Sequence, residues 1–174
     1  MLKQLLIALG LVGSPADHPP VPCHGNCEVS EVGRALIKNF EAYSPFRYRD
    51  SAGYWTIGVG HLIKSGERIP EPLLGEAAER LLQQDIKPKV AAVNARVSVA
   101  LLQGQFDAVV SWTYNLGEGA LKSSAMLKKI NAARHEEVPE QMKRWNRAGG
   151  KVLKGLERRR KRRRHCMKCS GIEW

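Results

Sequence analysis

The stretch EAYSPFRYRDSAGYWTIGVGH, from Glu41 to His61, constrains the fold more than any other, because the hydrophobic period changes inside it. Before it, Val32, Leu36, Ile37 and Phe40 recur at helical spacing behind Ser30, a residue suited to cap a helix. Pro45 cannot extend that run, since it has no N–H to donate and disfavours helix in the residue before it. The pattern therefore predicts a helix that ends at about Glu41 and delivers its carboxylate. Residues 46–49 and 54–60 read as two short β-segments, and the Asp50-Ser51-Ala52-Gly53 sequence between them has tight-turn composition. Asp50 is thus placed at a hairpin tip and Thr56 on the return strand. Gly58 and Gly60 remove side chains where another backbone or a ligand comes close.

A carboxylic acid on a helix end, a second carboxylate on a facing hairpin and a nearby hydroxyl can line one cleft, an arrangement suited to cleaving a glycosidic bond. Such cleavage needs a proton for the departing oxygen while positive charge develops on the sugar ring, so two carboxyl groups in opposite protonation states are required. Glu41, flanked by Phe40 and Tyr43, is the candidate proton donor. Asp50, beside Arg47 and Arg49 at an open tip, is the candidate ionised partner, stabilising the cation and helping to orient water. Thr56 supplies a hydroxyl able to hold that water. General acid catalysis alone is worth about 10²- to 10⁴-fold, so positioning and electrostatics must supply the rest.

Glu41, Asp50 and Thr56 at this spacing, embedded in YRDSAGYWTIGVGH, resemble the catalytic signature of the phage-type lysozymes, the endolysin muramidases. QFDAVVSWTYNLGEGALKSSAMLKKIN and RWNRAGGKVLKGLERRR are similar to later segments of that family in the same order, so the resemblance covers about residues 31–160. It implies an α+β, lysozyme-like fold in which a small lobe with the β-hairpin and a larger helical lobe are joined by a long helix. The implied reaction is hydrolysis of the β-1,4 bond between N-acetylmuramic acid and N-acetylglucosamine in peptidoglycan, by an inverting route, lysing the bacterial host cell. No cofactor or metal is implied. By the same resemblance Leu62, Tyr114, Asn115 and Ser124 face the sugar-binding cleft. For Tyr114, Asn115 and Ser124 the residues themselves allow an alternative, a satisfied helix terminus.

Two departures stand out: Ala42, where the family usually has glycine, and the tail after Arg160, KRRRHCMKCSGIEW, in place of an amphipathic helix end. Two rivals remain. A lytic transglycosylase forms an anhydro-sugar and can work with one glutamate, so Asp50 and Thr56 favour hydrolysis. A basic, non-catalytic module would bind envelope polymers or nucleic acid through its cationic run.

That run begins at Arg158 and ends at Arg164 and carries seven of the +11 formal charges. Setting it aside leaves 21 basic side chains against 17 acidic ones, so the body of the chain is only mildly basic. Anionic polymers of a bacterial envelope are the expected partner of the run, and nucleic acid is not. A length of 174 residues with 43% apolar content suits one compact domain, expected to be monomeric.

Three regions are expected: residues 1–27 as a signal-like segment and linker, 28–164 as the catalytic domain, and 165–174 as a cysteine-containing tail. Residues 1–16 hold Lys3, an apolar stretch from Leu5 to Val12 and Ser14-Pro15-Ala16, the layout of a minimal export signal; a docked N-terminal segment is the alternative. The enzyme would be made in the host cytoplasm and act in the periplasm, at the cell wall. Cys23, Cys27, Cys166 and Cys169 flank the family-like region, with free thiols, disulfides and a zinc site joining the termini all open. His61, beside a glycine-bearing strand, is expected to be a hydrogen-bonded structural residue rather than an acid–base group.

Further along, residues 64–72 read as loop. Residues 76–97 form a long helix with Leu81, Leu82, Ile86, Val90, Val93 and Val97 on its apolar face, kinked or divided by Pro88. A helix over 103–114 carries Phe106, Val109, Val110 and Thr113, ends at Asn115-Leu116-Gly117, and is followed by another capped by Ser123 or Ser124. A helix over 136–145, a Gly149-Gly150 turn and a last helix from about Val152 complete the expectation.

Overall fold

A computed structural model describes residues 22–41, 43–50, 52–144, 147–148 and 151–152. The expected export segment, Ala42, the run from Arg158 to Arg164, Cys166, Cys169 and the Gly149-Gly150 turn lie outside the described residues.

Helix α1 (Glu31–Phe40) leads into a sheet of β1 (Ser44–Arg49), β2 (Trp55–Gly58) and β3 (His61–Leu62). The helical part follows: α2 (Gly75–Asn94), α3 (Gln103–Leu116), α4 (Glu118–Ser123), α5 (Ala125–Asn131), a 3₁₀ turn (His135–Glu137) and α6 (Val138–Arg144). A two-stranded ladder of β4 (Arg147–Ala148) and β5 (Lys151–Val152) comes last. The strand at Val152 replaces the start of the expected final helix. The architecture is α+β, a small three-stranded sheet beside a larger helical body, with α2 packed against both the sheet and α3.

Ser30 caps α1 by accepting from the Gly33 N–H at 3.0 Å. Leu36 and Ile37 are buried, but Val32 is 57% exposed, contrary to the expected stripe. Gly33 takes the inward position instead, because a Cβ there would lie 2.5 Å from Asp107 Cγ. Asp107, 2% exposed, is the anchor between α1 and α3. Its Oδ1 accepts from the Ser30 N–H and the Gln103 amide, each at 3.0 Å, and its Oδ2 accepts from the Ser30 hydroxyl.

Helix α3 is buried on all sides from Gln105 to Thr113, not on one face as its apolar spacing suggests. A helix that is buried all round is the centre of the core. Around it pack Ile37 from α1, Leu82, Ile86, Val90 and Val93 from α2, and Leu121, Met126 and Ile130 from the short helices. Pro88 does not divide α2, which runs through it. Proline and Gln84, whose carbonyl loses its intrahelical donor, are both exposed, so water can satisfy that carbonyl. Gly117, at φ +85, ends α3, and α4, unforeseen from the sequence, occupies what reads as the connection to α5.

The described end of the segment expected to be a linker is tied to the helical body. Cys23 and Leu101 exchange backbone hydrogen bonds of 2.8 and 2.9 Å, and Cys27 exchanges bonds of 3.1 and 2.9 Å with the Asn94 side chain. Cys23 and Cys27 form a disulfide, which removes both from a terminus-joining zinc site, and Cys27 is part of the core.

Replacing Asp107 by Ala leaves two partly buried Ser30 donors without their acceptor and is expected to lower the unfolding free energy by about 3 kcal/mol, given roughly 1–3 kcal/mol for each orphaned group. Urea denaturation measures it; a loss below about 0.5 kcal/mol would mean that this carboxylate does not anchor α1.

Candidate active site

Glu41 is the residue at which the chain leaves α1. Its N–H still bonds the Ile37 carbonyl at 3.0 Å, while φ −97° and ψ 132° turn the backbone towards β1. Its side chain is half-buried, and Asn115 Nδ2 donates to Glu41 Oε1 at 3.0 Å. The adjoining Tyr114 donates its hydroxyl to the Val59 carbonyl at 2.8 Å, which ties the end of α3 to the sheet lobe. Burial pushes the Tyr114 phenol well above its ordinary range, and the nearby charges of Asp85 and Glu41 add to the effect. Glu41, Tyr114 and Asn115 are thus brought together from two elements.

Asp50 opens the β1–β2 turn. Its Oδ1 accepts from the Ala52 and Tyr54 N–H groups at 2.9 and 2.8 Å, while its backbone bonds Tyr54 and Gly53 at 3.0 Å each. These bonds fix the orientation of the carboxylate. The flanking arginines have other partners. Arg47 pairs with Glu71, whose carboxyl is held below its usual range by the Arg47 N–H first and its guanidinium second. Arg49 donates to the Gly53 carbonyl at 2.6 Å and stacks on Trp55, 4.1 Å from the ring centroid.

Thr56 sits opposite Tyr48 on β1 and Leu62 on β3, so these three side chains share one face of the sheet. Thr56 is 3% exposed and donates its hydroxyl to the Tyr54 carbonyl at 3.2 Å, leaving an oxygen lone pair to receive a further donor. Leu62 is exposed. Ser124 stands apart: buried at the head of α5, its hydroxyl accepts from the Leu127 N–H at 3.0 Å and donates to the Leu121 carbonyl at 2.8 Å. Gly58 takes φ +64 with Leu73 closing over it, whereas at Gly60, φ +82, the space around a Cβ would be open and the backbone angle alone favours glycine.

His61 is buried between two carboxylates. Nδ1 lies 2.9 Å from Asp85 of α2 and Nε2 lies 3.1 Å from Glu67 of the loop after β3. The hydrogen bonding expected for it is present. Asp85 was not anticipated; its signal is a carboxylate directly beside the buried Ile86 in the stripe of α2. Burial opposes a charge on His61, but hydrogen bonds and attraction from Asp85 and Glu67 outweigh it and raise the histidine above 6.5. Glu67 moves below 4.5, chiefly through the Lys64 N–H and then through His61.

The fold is that of the lysozymes. An endolysin from Escherichia coli O157:H7 phage FAHEc1 superposes with a TM-score of 0.75 at 35% identity, covering 85% of this chain and 98% of that one. An endolysin of Bacillus phage B103 is 39% identical over 138 residues, 78% of this chain and 52% of the relative. A SAR-endolysin of Escherichia phage Mu is 39% identical over 160 residues, 91% of this chain and 86% of the relative. The phage lysozyme family model matches residues 38–163, and the chain belongs to that family. It spans about half the length of the Bacillus phage relatives that it matches.

The His61 network has a defined pH signature. Raised in the fold, His61 contributes stability that is fully present below its unfolded value of 6.5 and is lost as pH rises through the higher folded value. Glu67, lowered, contributes above 4.5 and loses it as pH falls through the lower folded value. The stability difference between the parent and His61→Asn, from urea unfolding, is expected to be largest between those two values and to shrink towards about pH 9. A difference that stays constant over that rise would contradict the pairing.

Proposed function

We propose that the chain is a peptidoglycan-degrading endolysin that hydrolyses the β-1,4 bond between N-acetylmuramic acid and N-acetylglucosamine, lysing the bacterial host. The observation that carries this reading is the placement of Glu41 and Asp50, within a chain of the phage lysozyme family, at the end of α1 and at the β1–β2 turn. Glu41 protonates the departing glycosidic oxygen. Asp50, its carboxylate held by two turn N–H groups, stabilises the cationic sugar. Thr56, committed as donor to Tyr54, accepts from the attacking water.

Leu62, exposed beside Thr56, offers an apolar contact for a sugar or peptide group. Tyr114 and Asn115 line the same region from α3, and Ser124 acts on the cleft by setting the start of α5. No cofactor or metal takes part. Peptidoglycan is the substrate, the enzyme acts as a monomer, and the run from Arg158 to Arg164 draws it to anionic envelope polymers rather than to nucleic acid. It is made in the host cytoplasm and acts in the periplasm, a reading that the name of the phage Mu relative supports.

Glu41→Gln keeps size and hydrogen bonding but removes the transferable proton. Release of soluble muropeptides from purified peptidoglycan is expected to fall by at least about 10²-fold with melting temperature kept or raised. Near-parental release would overturn the assignment.

Thr56→Val keeps branching and volume but loses the hydroxyl, whereas Thr56→Ser keeps it. If the hydroxyl holds water, Val loses turnover by about 10²-fold and Ser retains far more. A purely structural strand residue gives the reverse order, with Ser the less stable variant.

A further inference from the structure

Helix α3 grips α1 at two points. Asp107, near its start, holds Ser30 at the head of α1, and Asn115, in its last turn, meets Glu41 at the tail. Asp107 and Asn115 are eight residues apart, a separation of roughly 12 Å along α3. The last turn is itself fixed by the Tyr114 hydroxyl on the Val59 carbonyl. Asn115 is therefore presented to Glu41 by a rigid element rather than by a loop.

We propose that Asn115 is a positioning residue for the proton donor: its amide N–H donates to Glu41 Oε1 and holds the carboxyl group in place. This rests on the reading of Glu41 as general acid. In the reaction the Glu41 proton passes to the glycosidic oxygen, which keeps the electron pair of the breaking bond to the anomeric carbon. The negative charge left on the carboxylate spreads to Oε1, where the Asn115 N–H meets it. Water adds at the anomeric carbon and releases, through solvent, the proton that restores Glu41. The amide donor gains strength as charge develops on its acceptor, which places its effect on turnover rather than on binding. The neighbouring Tyr114 feels the charges of Glu41, of Asp85 on α2 and of Tyr48 on β1.

The test is Asn115→Leu, close in size and without a donor, assayed on purified peptidoglycan beside the parent, Asn115→Gln and Glu41→Gln. For the Leu variant kcat is expected to fall about 10- to 100-fold with KM within about twofold, since only an interaction strengthened in the transition state is lost. The basic limb of its rate–pH profile should move upward, because a carboxylate without its donor gives up a proton less readily. Asn115→Gln, which keeps a donor on a longer stem, should recover part of both. A raised KM with kcat and pH profile unchanged would make Asn115 a sugar contact and overturn the proposal. A lower melting temperature with parental kcat and profile would make it structural and do the same. If Leu does not fold, Asn115→Ser is judged by the same limb of the profile. Parental turnover by Glu41→Gln would reject the general-acid reading itself, whereas an inactive Glu41→Gln beside an unaltered Asn115→Leu would reject only the positioning role.

Discussion

The contact between the Asp107 carboxylate and Ser30 is the constraint on which the rest of the site depends. A carboxylate at 2% exposure is tolerated only when its oxygens are occupied, and here Ser30 and Gln103 occupy them. Gly33 is the companion condition, since any side chain there would collide with Asp107. Together they fix how closely and at what height α1 crosses α3. Glu41 lies at the far end of α1, so a slide at this crossing would displace the proposed proton donor.

The sheet lobe is registered to the helical body by polar ties rather than by a large shared core. Tyr114 reaches the Val59 carbonyl, and His61 is held between Asp85 and Glu67. Tyr43 donates to the Leu73 carbonyl, and Leu73 donates to the Pro45 carbonyl at 2.8 Å. Hydrogen bonds are directional where apolar contact is not, which suits a lobe whose turn holds Asp50 in a set orientation.

Local chemistry made much of this legible in the sequence. Ser30 capping, the helix end at Glu41, the turn at Asp50 and the long helix before Asn94 follow from side-chain rules that act over a few residues. The misreadings have one origin, since they depend on what lies across the fold. Val32 has the right spacing for the core but loses its place to Gly33, because Asp107 approaches there. The burial of α3 all round from Gln105 to Thr113 is concealed by Gln105, Asp107 and Ser111, which read as polar yet lie inside. Pro88 reads as a break, but its exposure lets water replace the missing donor. In the site, Thr56 and Asp50 carry a recognisable spacing. The partnership of Asn115 with Glu41 has no local signal, because 74 residues separate them.

In the proposed reaction, Glu41 beside Asn115, the Asp50 carboxylate held by turn amides and the Thr56 hydroxyl together add water to an anomeric carbon. The measurement that tests this most directly is mass spectrometry of the muropeptides released when the full chain digests purified peptidoglycan in oxygen-18 water. Hydrolysis predicts reducing-end N-acetylmuramic acid carrying one heavy oxygen at the anomeric carbon in the first-formed products. Unlabelled anhydro-sugar ends would contradict it and identify a transglycosylase.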